Sequence, residues 1–175
     1  PLAMDNKIGD EDECNGRSGK SFFFKVLSFL MKTVKLSGRN PKLMDNPHVF
    51  DQVSQFTDML LVDDCDRYLN LGLFYDNITS DMNVNPKNNR SFTISFDESP
   101  KMAFTTNYVP QDFDPSSEAR SLYMVFSDWY HQKTEDNDYH ETRSIRDDFG
   151  KTLYAYDYSE EEWNCDLNFW IQCCR

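Results

Sequence analysis

One short run constrains this chain more than any other: Cys14-Asn15-Gly16-Arg17-Ser18-Gly19-Lys20-Ser21, followed at once by Phe22-Phe23-Phe24-Lys25-Val26-Leu27. A glycine-bearing loop ending in Gly-Lys-Ser at the mouth of a helix is a phosphate cradle. Its glycines let backbone N–H groups wrap an anion, and the helix N-terminus adds partial positive charge. Lys20 is the side chain to reach terminal phosphates, and the Ser21 hydroxyl is the one to ligate magnesium. The residues expected to touch the phosphates are therefore Asn15, Gly16, Arg17, Ser18, Gly19, Lys20 and Ser21. The run departs from the usual spacing at its start. Cys14 stands where the first glycine belongs, and Gly16 is left to make the turn.

A chain of 175 residues is long enough for one domain with a sizeable core. It begins at Pro1 and reaches the cradle by residue 16, so a preceding N-terminal part is expected. No apolar run approaches the ~18 residues of a membrane span, and nothing resembles a signal peptide. Cys14, Cys65, Cys165, Cys173 and Cys174 are odd in number and form no Cys-x-x-Cys pair. His48, His131 and His140 do not complete a zinc spacing either, so free buried thiols in a reducing cytosol are expected.

The net charge of −12 argues against coating nucleic acid through bulk charge. Its distribution is more specific. Residues 16–48 hold seven basic residues and one acid, whereas residues 128–166 hold four basic residues and twelve acids. A basic lobe around the cradle can meet phosphate locally while an acidic tail keeps the remaining surface anionic. The division expected is 1–126 as the core and 127–175 as an acidic helical extension.

Along the chain, Leu2-Ala3-Met4 is the one apolar segment able to lead into the cradle, with Asp10-Glu11-Asp12-Glu13 as a solvated loop between. Phe22, Val26, Phe29, Leu30 and Val34 recur at helical spacing and predict a helix from Ser21 to about Leu36. Met59-Leu60-Leu61-Val62 reads as a buried parallel strand, and Arg67 to Asp76 as a short helix. Val84 to Phe96 alternates around Asn85-Pro86-Lys87-Asn88-Asn89-Arg90, a hairpin pattern. Further short strands are expected at Lys101–Thr105 and Leu122–Phe126. Trp163, Leu167, Trp170 and Ile171 predict a C-terminal helix with one buried apolar stripe.

The polar residues at the ends of these segments carry the chemistry. Forty-three residues after Lys20, the strand ends in Asp63-Asp64. Asp63 would hold magnesium through its water shell, and Asp64 would polarise an attacking water. Forty-three residues after Asp64 stands Asn107, closing Phe104-Thr105-Thr106-Asn107. A neutral amide there can orient water beside a terminal phosphate. Arg120, thirteen residues on, is a candidate arginine finger, which offsets charge on a transferring phosphoryl group. The hairpin tip, with Lys87 and Arg90 among asparagines, suits gripping a phosphate backbone without reading sequence. The plain alternatives are a turn asparagine, a surface arginine and a polar loop that blunts a sheet edge.

Together these elements resemble the superfamily-3 helicase set over about residues 14–126. The closer likeness is to the helicase portion of phage- and plasmid-type primase–helicases of Bacteroidetes-like genomes. It rests on Asn15-Gly16-Arg17-Ser18-Gly19-Lys20-Ser21, Val84-Asn85-Pro86-Lys87, Ser99-Pro100-Lys101, Phe104-Thr105-Thr106-Asn107 and Glu162-Trp163-Asn164. The resemblance implies an α/β P-loop NTPase core of AAA+ type, with a parallel sheet of order 5-1-4-3-2. It also implies ATP and Mg2+ as cofactors, hexameric rings, movement along single-stranded DNA and a bacterial host cytoplasm, with no membrane partner.

Two rival readings stand beside it. One is a degenerate P-loop module that binds nucleotide or DNA without turnover, which Cys14 favours. The other is a small-molecule kinase, for which the basic hairpin supplies no reason.

Overall fold

The computed structural model describes residues 1–5, 18–108, 115–127, 129–131 and 144–173. The chain divides into two compact units, Pro1–Trp129 and Tyr130–Arg175. The first is α/β. Its strands are β1 (Leu2–Asp5), β2 (Thr33–Ser37), β3 (Met59–Cys65), β4 (Met82–Val84), β5 (Phe92–Ile94), β6 (Lys101–Thr106) and β7 (Tyr123–Phe126). Its helices are α1 (Lys20–Leu27), α2 (Tyr75–Thr79) and α3 (Pro115–Arg120).

Five strands form one all-parallel sheet in the order β2-β3-β6-β1-β7. Labelled over all seven strands, this differs from the expected 5-1-4-3-2. The reason is that β4 and β5 pair antiparallel in a separate hairpin, with Met82 opposite Ile94 and Val84 opposite Phe92.

Alternation along each central strand sends side chains to two cores, because successive residues face opposite sides of a sheet. Leu2, Met4, Leu60, Val62, Met102 and Phe104 join Phe50, Phe74 and the hairpin residues Met82, Val84 and Ile94 on one side. Ala3, Met59, Leu61 and Ala103 join Phe24 of α1 on the other, with Phe23 and Leu27 packed against them. Burial on both faces explains why Met59-Leu60-Leu61-Val62 is continuously apolar rather than alternating.

The long helix expected over 21–36 is not formed. α1 ends at Leu27, where the Ser28 N–H reaches back to Phe24 O and Lys25 O, and residues 33–37 are β2. Asp58 fixes the turn between them by accepting from the Lys32 N–H at 2.7 Å and donating its own N–H to Lys32 O at 2.9 Å. Val34 then lies opposite Leu60 and is buried. Long-range pairing with β3 overrides the local helical spacing, and β-branched Thr33 and Val34 suit the strand. The helix expected over 67–76 is instead a 3-10 turn at Leu71–Phe74 running into α2.

The second unit contains α4 (Ile145–Phe149) and α5 (Glu160–Cys173). Ser144 and Asp147 cap the start of α4 reciprocally, and Gly150 ends it at φ 69°, a left-handed conformation suited to glycine. Ser159 and Glu162 exchange the same pair of bonds at the start of α5, whose first turn carries three glutamates. Acids there complement the helix dipole. The apolar stripe of α5 is not buried as expected. Leu167 is 37% and Ile171 55% exposed, and Trp163 and Trp170 are half-buried. Cys165 and Cys173 of this helix are likewise exposed rather than buried, while Trp163 lies 5.2 Å from Tyr158 and 5.8 Å from Tyr154, centre to centre. No helix among the described residues is long and apolar enough to cross a membrane.

Candidate functional site

In a parallel sheet every strand ends on the same side, and side chains at those carboxyl ends converge with the N-termini of the following helices. Here that edge gathers Asp5 from β1, Lys20 and Ser21 from α1, Asp63 and Asp64 from β3, and Thr105 from β6. Sequence reading expected Lys20, Ser21, Asp63 and Asp64 at one site.

Gly19 enters α1 at φ 97°, a conformation L side chains rarely adopt. It turns Lys20 inward. That lysine is only 7% exposed, and its Nζ donates to Asp5 Oδ1 at 2.5 Å and to Ser18 Oγ at 3.2 Å. The Ser18 hydroxyl donates to the same Asp5 oxygen. Asp5 is 1% exposed, and its other oxygen, Oδ2, makes no hydrogen bond among the described residues. Asp5 is not among the residues expected at the site, although an acid closing the apolar strand Leu2-Ala3-Met4 is a signal the sequence carries.

The next residue of α1 turns the other way. Ser21 Oγ donates to Asp63 Oδ1 at 3.0 Å, and Thr105 Oγ1 donates to the same oxygen at 2.6 Å. Lys35 of β2 reaches Asp63 Oδ2 at 2.6 Å. Burial pushes the Asp63 carboxyl up, but hydrogen bonds from Lys35, Thr105 and Ser21 and the charge of Lys35 outweigh it. The net result lies below the usual carboxylate range.

Asp63 and Asp64 sit where β3 carries one residue more than β6. Val62 pairs with Phe104, and the next pair is Cys65 with Thr106. The bulge puts Asp64 at φ 59°, and its N–H donates to Thr105 Oγ1 at 2.7 Å. One hydroxyl therefore holds both acids, accepting from the backbone of Asp64 and donating to the side chain of Asp63. Asp64 points its carboxylate to Arg39 Nε at 2.5 Å. A non-glycine residue in the left-handed region stores strain of about 1–3 kcal/mol, and such residues gather at functional sites. Cys65, next along, is buried, and burial with the nearby Asp63 charge pushes its thiol up to about 12, so it stays protonated.

Thr105, Lys35 and Arg39 were not given site roles from sequence. The helical spacing over 21–36 puts Lys35 on a helix, and only its position on β2 brings it to Asp63. Asn107 follows directly on β6 and is half-buried. Arg120 is the last residue of α3, exposed, with its guanidinium over the Tyr75 ring at 5.7 Å. Lys87 and Arg90 are exposed at the hairpin tip, where Asn88 makes the turn at φ 65°. His48 braces the hairpin base, its Nδ1 lying 2.8 Å from Asn85 O. Cys14, Asn15, Gly16 and Arg17 lie outside the described residues, as does the acidic run 10–13.

Among the described residues no group of three or more His, Cys, Asp or Glu side chains is arranged to hold a metal ion. No protein-family model matches the chain, and no curated protein matches it.

Proposed function

We propose that this chain is the ATP-hydrolysing core of a superfamily-3 type DNA helicase. It would couple hydrolysis to movement along single-stranded DNA, as a homo-oligomeric, hexameric ring, in replication of a phage or mobile element in a bacterial cytoplasm. One observation carries the reading: Ser21, directly after the Gly19-Lys20 turn into α1, bonds Asp63 at the end of an apolar parallel strand 42 residues away. Two further features support it. Leaving the hairpin strands out of the count, the five strands of the sheet follow one another as 5-1-4-3-2. The hairpin itself presents Lys87 and Arg90 to solvent.

The oxygens of Ser21 and Asp63 fit magnesium, which is commonly held by one or two carboxylates together with substrate phosphates. Bound there, Mg2+ would neutralise charge on the phosphates. Lys20 would bind the terminal phosphates, Asp64 would take a proton from the attacking water, and Asn107 would orient that water. Arg120, exposed on α3, would act on a neighbouring subunit's nucleotide.

A second reading has its own observation. Lys20, Asp63 and Asp64 are each already matched by an opposite charge, from Asp5, Lys35 and Arg39. A site neutralised in this way also suits a module that binds nucleotide or DNA without turnover. ATPase activity measured with and without single-stranded DNA separates the two. The helicase reading requires hydrolysis that rises with DNA and is lost in Asp64→Asn. Tight nucleotide binding with no turnover in any oligomeric state would establish the binding module instead.

A further inference from the structure

We infer that Asp5 is an internal stand-in for phosphate: its carboxylate pairs with the Lys20 ammonium and competes with nucleotide for it. The inference rests on the nucleotide-binding reading of the cradle and adds a regulatory residue to that site.

The geometry makes Asp5 more than a neighbour. Its carboxylate lies 2.5 Å from Lys20 Nζ, and the two side chains are 2% and 8% exposed. An ammonium so paired is neutralised before any anion arrives, and its attraction for phosphate is correspondingly reduced. Nucleotide must then displace a buried carboxylate rather than water. Once displaced, Asp5 keeps only the Ser18 hydroxyl as a described partner on Oδ1. Its Oδ2 is buried with no hydrogen bond even while the pair is intact. Among the described residues only Lys20 and Ser18 compensate this carboxylate, so releasing Lys20 leaves a poorly satisfied buried group. That cost opposes nucleotide binding. Ser18 links the switch to the cradle, because its hydroxyl accepts from Lys20 at 3.2 Å while donating to Asp5.

Asp5→Asn tests the idea with little change of shape. The amide keeps an acceptor for Ser18 and Lys20 but removes the competing charge. Affinity for a fluorescent ATP analogue with Mg2+ should rise at least ~10-fold over the unaltered protein, and Lys20→Ala should abolish binding in both backgrounds. Unchanged or weaker binding by a folded Asp5→Asn variant, with normal binding by the parent, overturns the stand-in role and leaves the nucleotide reading intact. Absence of binding in both proteins overturns the nucleotide reading and the inference with it. Binding seen only in Asp5→Asn supports the inference in its strongest form. Should the variant fail to fold, the parent protein decides. The carboxyl carbon resonance of Asp5, assigned by its loss in Asp5→Glu or by sequential connectivity, must move when MgATP saturates the site. A resonance that stays put at saturation overturns the proposal.

Discussion

Ser21 and Asp63 meet across 3.0 Å, hydroxyl to carboxylate, although 42 residues separate them. The contact locks the first turn of α1 to the carboxyl end of β3. It also places the two oxygens that the proposed magnesium would share on adjacent elements of one sheet edge.

The buried pair beneath that contact should dominate stability. Removing Lys20 leaves a buried carboxyl without its partner, and deleting one member of such a pair costs about 3–5 kcal/mol. Lys20→Ala should therefore melt well below the parent as well as lose nucleotide binding. Adding Asp5→Leu to a Lys20→Met variant should restore most of the lost melting temperature, since a buried pair replaced by apolar groups of similar size is often neutral. Equal melting of Lys20→Ala and parent would show that the pair contributes nothing.

Asp64 should separate shape from chemistry. Asparagine tolerates the left-handed backbone at φ 59°, so Asp64→Asn should fold normally, whereas Asp64→Val should be destabilised by about 1–3 kcal/mol. The amide cannot take a proton from water, so turnover in Asp64→Asn should fall ~10²-fold or more with ATP still bound. Chemical denaturation and steady-state ATPase measurements check the two halves independently.

Asp63 gives the protein a defined acid response. Its folded pKa is lowered, so its contribution is complete above the ordinary aspartate range and is lost as pH falls through the folded value. Lys35→Met removes both a hydrogen bond and a charge that hold the value down. The variant should therefore melt lower than the parent at neutral pH but lose less melting temperature as the pH is brought down through the aspartate range. Superimposable curves would mean that Lys35 does not set the Asp63 titration.

Gly38, at the turn after β2, has no room for a side chain. A Cβ there would lie 2.7 Å from Cys65 Cα and 3.0 Å from its backbone nitrogen, so trimming the cysteine side chain offers no relief. Gly38→Ala should cost about 1–3 kcal/mol through forced backbone shifts, and Cys65→Ala should not rescue it. Denaturant titration of the single and double variants tests this.

Arg120 carries the oligomeric part of the proposal. A finger supplied in trans cannot act in a monomer, so ATPase activity should rise more than linearly with protein concentration. Arg120→Ala should bind ATP yet lose turnover by ~10³-fold or more. Mixing it with Asp64→Asn subunits should return part of the activity, because some interfaces then carry both intact residues. No recovery in demonstrably mixed rings would count against a trans finger.

What the sequence determined by itself lies within short stretches of chain. The Gly19-Lys20-Ser21 turn into α1, the apolar run of β3 ending in two acids, β6 leading to Asn107 and the hairpin around Lys87 and Arg90 were each legible. In each, turn chemistry or unbroken apolar character fixes the local conformation. The remaining features depend on partners far along the chain. Residues 28–37 carry helical spacing, but pairing with β3 sets Val34 opposite Leu60 and buries it. That single change carries Lys35 from a helix end to Asp63. The roles of Thr105 and Asp5 were hidden for the same reason. A threonine and an aspartate at strand ends look ordinary in sequence, and only the bulge at Asp63-Asp64 and the inward turn of Lys20 give them partners. Local propensity acts through neighbours a few residues apart, whereas burial and charge pairing act through whatever the sheet order brings together.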